Sequence, residues 1–376
     1  MINIDKIYST FIENNVEFFT GVPDSLLSDF CAYVTDHAPD DKHIITANEG
    51  TAIGIASGYY MASRKLPLVY MQNSGLGNAV NPLLSLADEK VYSLPILLMI
   101  GWRGEPGTKD EPQHKKQGEV TLELLKAMNI PYLVLSEDEN IAIQELADMI
   151  HSAYTKNIPH AIVIRKGIFG KYKLQKKIQN NYELSREEAL KIVINSLDDN
   201  DITVSTTGKL SRELFEYREN LCHNHEKDFL TVGSMGHSSS IALGIALKNS
   251  TRRVYCLDGD GAFIMHMGAI SNIGAISPNN YRHIIFNNGA HESVGGQPTL
   301  GFNLNILQIA QACGYKYTYT AVSKEEILYS LKSMQNISGP SLLEIKVRID
   351  SRDNLGRPTT TPVENKNAFM NFLSNE

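Results

Sequence analysis

Residues 252–262 read RRVYCLDGDGA, and residues 281–290 read YRHIIFNNGA. Each is a β-branched and aromatic run that stops at a glycine-containing turn, the mark of a strand and its exit. Twenty-five residues lie between Gly261 and Asn287, room for one helix with its turns. Strands joined through a helix lie parallel in one sheet. Both turns then fall at carboxyl ends of strands, where open α/β sheets bind ligands. Asp260 offers a hard carboxylate there, and Asn288 a side-chain carbonyl. Gly259 and Gly261 let backbone N–H groups approach phosphate oxygens. Magnesium takes a few protein oxygens and completes its shell with phosphates and water. A diphosphate held through one Mg2+ suits this set. A dinucleotide fits less well, because no G-x-G-x-x-G follows a strand. Taken singly, GDG and NNG are ordinary turns; their pairing at this spacing carries the weight.

The same alternation extends on both sides. DITVSTTG (201–208), DFLTVGSMG (228–236) and SLLEIKV (341–347) read as further strands of the second half. Ser185 with Glu188 three residues later forms a capping-box pattern opening a helix through LKIVINSL. Residues 171–184 are basic, polar and unpatterned, and read as a linker. Before it, residues 4–15 have a helical period. FFTGVPD (18–24), HIITAN (43–48), LPLVYMQN (66–73), LPILLMIGW (94–102), PYLVLS (131–136) and HAIVIRK (160–166) are strand-like. EGTAIGIASGYYMASR begins a small-residue helix at Glu49, and a Gly/Asn loop leads to a helix over NPLLSLADE (81–89). The expected architecture is α/β: two similar domains, residues 1–170 and 185–376, each a mostly parallel sheet with helices on both faces.

Composition sets the outer bounds. A chain of 376 residues is too long for one ordinary core. Apolar residues at 42% and charged residues at 20% exclude wholesale disorder. The net charge of −7 argues against nucleic acid as partner, so an anionic ligand needs a local basic pocket. The uncharged run around the apolar core at 91–102 is too short for a membrane span, which needs about 20 residues. The N-terminus has no signal-peptide plan, and the cytoplasm is the expected compartment. Cys31, Cys222, Cys256 and Cys313 form no CxxC pair and are expected as buried apolar side chains.

GDG-x25-NN resembles the diphosphate–Mg2+ motif of thiamine-diphosphate enzymes. TANEGTAIGIASGYY (46–60) resembles their pyrimidine-binding domain, and VGSMGHSSSIALGIAL (232–247) the opening of their diphosphate-binding domain. The resemblance covers nearly the whole chain, but the third domain common between these two is replaced by the short linker. That plan is similar to the compact decarboxylases of 3-substituted pyruvates. GVPDSLL (21–27), QNSGLGNAVNPL (72–83), RGEPGTKDEPQH (103–114), NNGAHESVGGQPT (287–299) and LGRPTTTPVEN (355–365) carry this closer likeness.

The resemblance implies roles for single residues. Glu49 would activate the cofactor. Asp260 and Asn288 would ligate Mg2+ through side chains, and Ala290 through its carbonyl. Gly261 and Ala262 would bind diphosphate through N–H groups, with Gly259 shaping the turn. Met235 would bend the cofactor, and the Gly233 carbonyl beside Ser234 would accept from its 4′-amino group. His237 and Ser238 would support the phosphates or else cap the following helix. The implied reaction removes CO2 from phosphonopyruvate to leave 2-phosphonoacetaldehyde, a step of phosphonate biosynthesis that pulls a preceding C–P bond-forming reaction forward. Sulfopyruvate is the alternative substrate. Arg103, Lys109 and His114, on a long loop after an apolar strand, and Arg357 and Thr359, on a late loop, are the candidates for gripping the substrate's second anion. The resemblance also implies a homo-oligomer, at least a dimer, with active sites shared between chains.

Overall fold

The run LPILLMIGW becomes a central strand because every residue of its core, Leu97–Gly101, is buried. In the computed structural model, which describes residues 1–352 and 354–374, it belongs to the first of two units. The units are Met1–Lys177 with Ser293–Pro298, and Ile178–Glu292 with Thr299–Glu376.

The first unit contains strands β1 (Phe18–Gly21), β2 (His43–Ile45), β3 (Pro67–Gln72), β4 (Leu97–Gly101), β5 (Tyr132–Val134) and β6 (His160–Ile164). Their order is β2-β1-β3-β4-β6-β5, and every pairing is parallel. Leu97 and Met99 pack with Phe19, Leu68 and Ile162 on one face. Leu98 and Ile100 pack with Val69, Met71 and Val163 on the other. A strand covered on both faces has no room for polar alternation, hence its apolar run.

The second unit repeats the plan with β7 (Ile202–Ser205), β8 (Asp228–Leu230), β9 (Val254–Gly259), β10 (Tyr281–Asn287), β11 (Tyr317–Ala321) and β12 (Ser341–Lys346). Their order is β11-β12-β10-β9-β7-β8, again parallel. Leu257, Ile284, Phe286, Leu343 and Ile345 build one apolar face. Beyond that face, His283 Nδ1 is hydrogen-bonded with the Tyr315 hydroxyl at 3.1 Å, and its Nε2 stands 3.5 Å from Asp258 Oδ2, all buried. Near the amino end of β10, the buried Arg282 donates to the carbonyls of Asn279, Tyr281, Met334, Ile337 and Gly339. The capping box is present: Glu188 N donates to Ser185 Oγ, and Ser185 N to Glu188 Oε2, opening helix Arg186–Asn195.

Several expectations need correction. The segment expected as a Gly/Asn loop is a short 3-10 turn followed by helix Leu76–Pro82, which runs into a π turn ending at Ala87. The loop after β4 is shorter than expected, because Pro112 starts helix Pro112–Ala127. Proline suits a first helical turn, where its missing N–H costs nothing. Strand β11 (YTYTA) is an edge strand with no apolar run, and the hydrophobic pattern does not reveal it. Cys31 and Cys256 are buried as expected, but Cys313 is half-buried and Cys222 exposed. Residues 171–184 hold neither helix nor strand. Their first part is tied down by acids of the first unit: Asp29 accepts from Tyr172 N, and Asp36 from Gln175 N and Lys176 N.

Candidate active site

The β9–β10 register pairs Ile285 with Asp258 and Phe286 with Gly259, so the two turns leave the sheet level with each other. Asp260 opens helix Asp260–Met265 and is buried. Its carboxylate accepts from the Thr299 hydroxyl, and the N–H groups of Asp260, Gly261 and Asn288 also turn toward it. Burial outweighs these donors and pushes its carboxyl up to about 6. A carboxylate desolvated in this way is one that a cation would stabilise. Asn288 is buried alongside. Its Oδ1 accepts from Ala290 N at 3.0 Å, and its Nδ2 donates to Glu292 Oε2 at 3.2 Å. Asn287 is a framework residue: its Nδ2 donates to Gly301 O and Glu344 Oε1. Gly301 is required here, since a Cβ would stand 2.6 Å from Asp260 Oδ2 and 2.5 Å from Asn287 Oδ1.

The neighbouring strands supply hydroxyls. Thr206 follows β7, Thr231 follows β8, and Ser238 opens helix Ser238–Lys248. The side-chain oxygens of all three are buried without a hydrogen-bond partner. Orphaned buried hydroxyls cost free energy unless something meets them. Set at the carboxyl edge with Asp260 and Asn288, they fit an oxygen-rich anion such as a diphosphate with its metal. The turn between is strained: Ser234 has φ +47 and Gly236 φ +84. A non-glycine residue with positive φ is uncommon and clusters at functional sites. Met235 lies outside the helix and is half-buried; its Cε stands 3.4 Å from where a Cβ on Gly261 would sit. His237 is exposed, and its ring lies 4.2 Å from that of His266.

Glu49 occupies the first turn of helix Glu49–Ser63, where the helix dipole favours an anion. Asn48 caps this helix by accepting from Thr51 N at 2.9 Å. Glu49 is buried, and its Oε2 accepts from Asn78 Nδ2 at 2.7 Å. Gly75 packs against it so closely that a Cβ would fall 2.4 Å from Oε1. Asn78 and Gly75 lie in the segment read as a loop, and no local pattern marks them as partners of Glu49.

The basic candidates separate. Arg103 makes a bidentate pair with Asp110, at 2.8 and 2.5 Å, and donates to Ser25 Oγ at 2.7 Å. Its fork is therefore already matched by protein groups. His114 belongs to the first turn of a helix rather than to a loop. Burial first, then the Arg103 charge, pushes its imidazole down to about 4, so at neutral pH it brings no positive charge. Lys109, Arg357 and Thr359 are exposed. Beside Arg103 the structure reveals Asp24, from the GVPD turn. It is fully buried, with Oδ2 accepting from Leu26 N at 3.0 Å and Oδ1 without a partner.

Residues 4–130 match the thiamine pyrophosphate enzyme N-terminal TPP binding domain, and residues 206–345 the C-terminal TPP binding domain. The chain belongs to the thiamine pyrophosphate enzymes, and each of the two matches falls on one of the sheets. It is 30% identical over 377 residues to the phosphonopyruvate decarboxylase of Streptomyces viridochromogenes, covering 94% of this chain and 90% of that protein. It is 29% identical over 390 residues to the phosphonopyruvate decarboxylase of Streptomyces hygroscopicus, covering 100% and 94%. A sulfopyruvate decarboxylase from Methanosarcina acetivorans is 26% identical over 365 residues, covering 91% and 90%. No helix among the described residues is long and apolar enough to cross a membrane.

Proposed function

We propose that this enzyme decarboxylates phosphonopyruvate to 2-phosphonoacetaldehyde and CO2, using thiamine diphosphate and Mg2+. The observation that carries the substrate is the full-length similarity to two phosphonopyruvate decarboxylases, at higher identity than to the full-length sulfopyruvate enzyme of Methanosarcina acetivorans. The donor set around Asp260 and Asn288 carries the metal: a carboxylate and an amide oxygen suit a hard dication.

When bound, thiamine diphosphate supplies the electron sink that lets a 2-oxo acid lose CO2. The protein's part is to bind, orient and move protons. Asp260 and Asn288 hold Mg2+ through their side chains and Ala290 through its carbonyl. Backbone N–H groups of Gly261 and Ala262 and the hydroxyl of Ser238 meet the diphosphate, with Gly259 and His237 shaping the same rim. Met235 and the Gly233 carbonyl, presented by the Ser234 turn, orient the cofactor's rings. Glu49 holds the proton at the pyrimidine N1′, and Asn78 fixes the carboxylate that carries it. The working enzyme is a homo-oligomer in which Glu49 of one chain serves the metal corner of another, a reading that rests on the family resemblance.

The test is incubation of the protein with thiamine diphosphate, Mg2+ and phosphonopyruvate, sulfopyruvate or pyruvate in turn, with detection of the aldehyde. Phosphonopyruvate should give the highest kcat/KM. Faster turnover of sulfopyruvate would transfer the assignment to the sulfonate.

A further inference from the structure

Asn288 poses a problem that Asp260 does not. A carboxylate presents an oxygen whichever way it turns, but a side-chain amide has one acceptor end and one donor end of nearly the same shape. A metal ligand must show the oxygen. Something must therefore choose between two orientations related by a half-turn.

We propose that Glu292 makes this choice as a positioning residue, and that Arg186 holds Glu292 where it can. The inference rests on the reading of Asn288 as a metal ligand. Glu292 Oε2 accepts from Asn288 Nδ2 at 3.2 Å, and a carboxylate cannot donate, so the amide nitrogen must face it. On the other side the Ala290 N–H donates to Asn288 Oδ1 at 3.0 Å and can only meet the oxygen. Both contacts select the same orientation, and Oδ1 keeps a second lone pair for a cation. The backbone is fixed too, since Asn180 Nδ2 donates to the Asn288 carbonyl at 3.2 Å.

Glu292 is itself fixed. Arg186 Nη1 donates to the same Oε2 at 2.9 Å. The other edge of that guanidinium, Nε and Nη2, makes a fork with Glu213 at 2.9 and 2.7 Å. The three side chains are 13%, 1% and 10% exposed for Arg186, Glu213 and Glu292, so water competes little for these bonds. Arg186 is the first residue of a helix whose start is set by the Ser185–Glu188 capping box. A chain of rigid contacts thus runs from that helix start to one amide.

One atom makes the idea testable. Because a single oxygen, Oε2, accepts from both Asn288 and Arg186, a glutamine at this position can keep both bonds, and alanine can keep neither. The experiment is calorimetric titration of the apo protein with Mg2+ at fixed thiamine diphosphate. Asn288→Ala should weaken Mg2+ strongly. Glu292→Ala should weaken it tenfold or more, as outer-shell changes commonly do. Glu292→Gln, which keeps both bonds, should escape the tenfold or greater loss of Glu292→Ala. In an Asn288→Asp background, where both oxygens are equivalent, Glu292→Ala should cost nothing. Arg186→Lys, which keeps the charge but not the fork, should lower affinity beside Asn288 and not beside Asp. It serves as the test if Glu292→Ala does not fold. Unchanged affinity in Asn288→Ala would overturn the ligand reading and the inference with it. Loss in Asn288→Ala without loss in Glu292→Ala would overturn the inference alone. An equal loss from Glu292→Ala in both backgrounds would make Glu292 a structural residue only.

Discussion

Asn78 donates to Glu49 at 2.7 Å across two helices that start from different strand ends. The bond leaves Oε1 as the other face of the carboxylate and fixes the plane in which that face points. Glu49→Gln should keep the fold and cofactor affinity, yet lower kcat by about 10²–10⁴-fold, the usual worth of a positioned acid–base group. Turnover near that of the unaltered enzyme would remove Glu49 from the proton path.

Gly75 tests the same corner sterically. A methyl group there would stand 2.4 Å from Glu49 Oε1, closer than any contact allows. Gly75→Ala should therefore shift the carboxylate and lower kcat tenfold or more, since small misplacements of a catalytic group are costly. Melting temperature should change far less. The reverse pattern, a large loss of stability with normal kcat, would mean that the site tolerates the shift.

Asp24 gives the protein a pH-dependent stability. Burial is the largest influence and raises its carboxyl to about 6, against the Arg103 charge and the backbone N–H groups. The folded state then binds its proton more tightly than the unfolded chain, so this group's stabilisation is complete below about pH 4 and is lost as pH rises toward about 6. The slope it adds is at most about 1.4 kcal/mol per pH unit. Asp24→Asn should flatten the decline of melting temperature across that window. Parallel profiles for the two proteins would show that Asp24 does not titrate there.

Substrate discrimination should depend on a basic side chain that meets the substrate's second anion. Arg103 is committed to Asp110, so its loss should disturb the loop as well as binding. Of Arg103→Ala, Lys109→Ala and Arg357→Ala, at least one should raise KM for phosphonopyruvate tenfold or more, about 1.4 kcal/mol, with much less effect on pyruvate. Equal discrimination in all three would place the phosphonate elsewhere.

If active sites are shared between chains, two inactive variants can help each other. Mixing Glu49→Gln with Asp260→Asn protein under subunit exchange should restore part of the activity. Proven exchange with no recovery would favour sites built within one chain.

The sequence made strand-end chemistry legible because its signals are local. Asp260 and Asn288 each sit directly after an apolar run, and Glu49 directly after a strand at a helix start. Both sheets were legible for the same reason, except YTYTA, whose Tyr/Thr composition is a strand signal without burial to reinforce it. Asn78, Thr299, Glu292 and Asp24 were not legible as partners. The first three act through side-chain contacts with residues 4 to 39 positions away, and Asp24 acts beside Arg103, far along the chain; no periodicity records such relations. His114 misled in another way. Its Gly/Pro-punctuated surroundings read as loop, although Pro112 is an ordinary helix opener.

The five carbonyls gathered by Arg282 lie near the amino end of β10, and Asn288 lies just past its carboxyl end. One strand thus carries a structural rivet at one tip and reactive chemistry at the other. For anyone engineering this scaffold, that polarity separates two kinds of risk. Substitutions around Arg282 put folding yield at stake, while those beyond Phe286 put turnover at stake. A library meant to retarget the substrate can randomise the loops at the carboxyl tips and leave the rivet untouched.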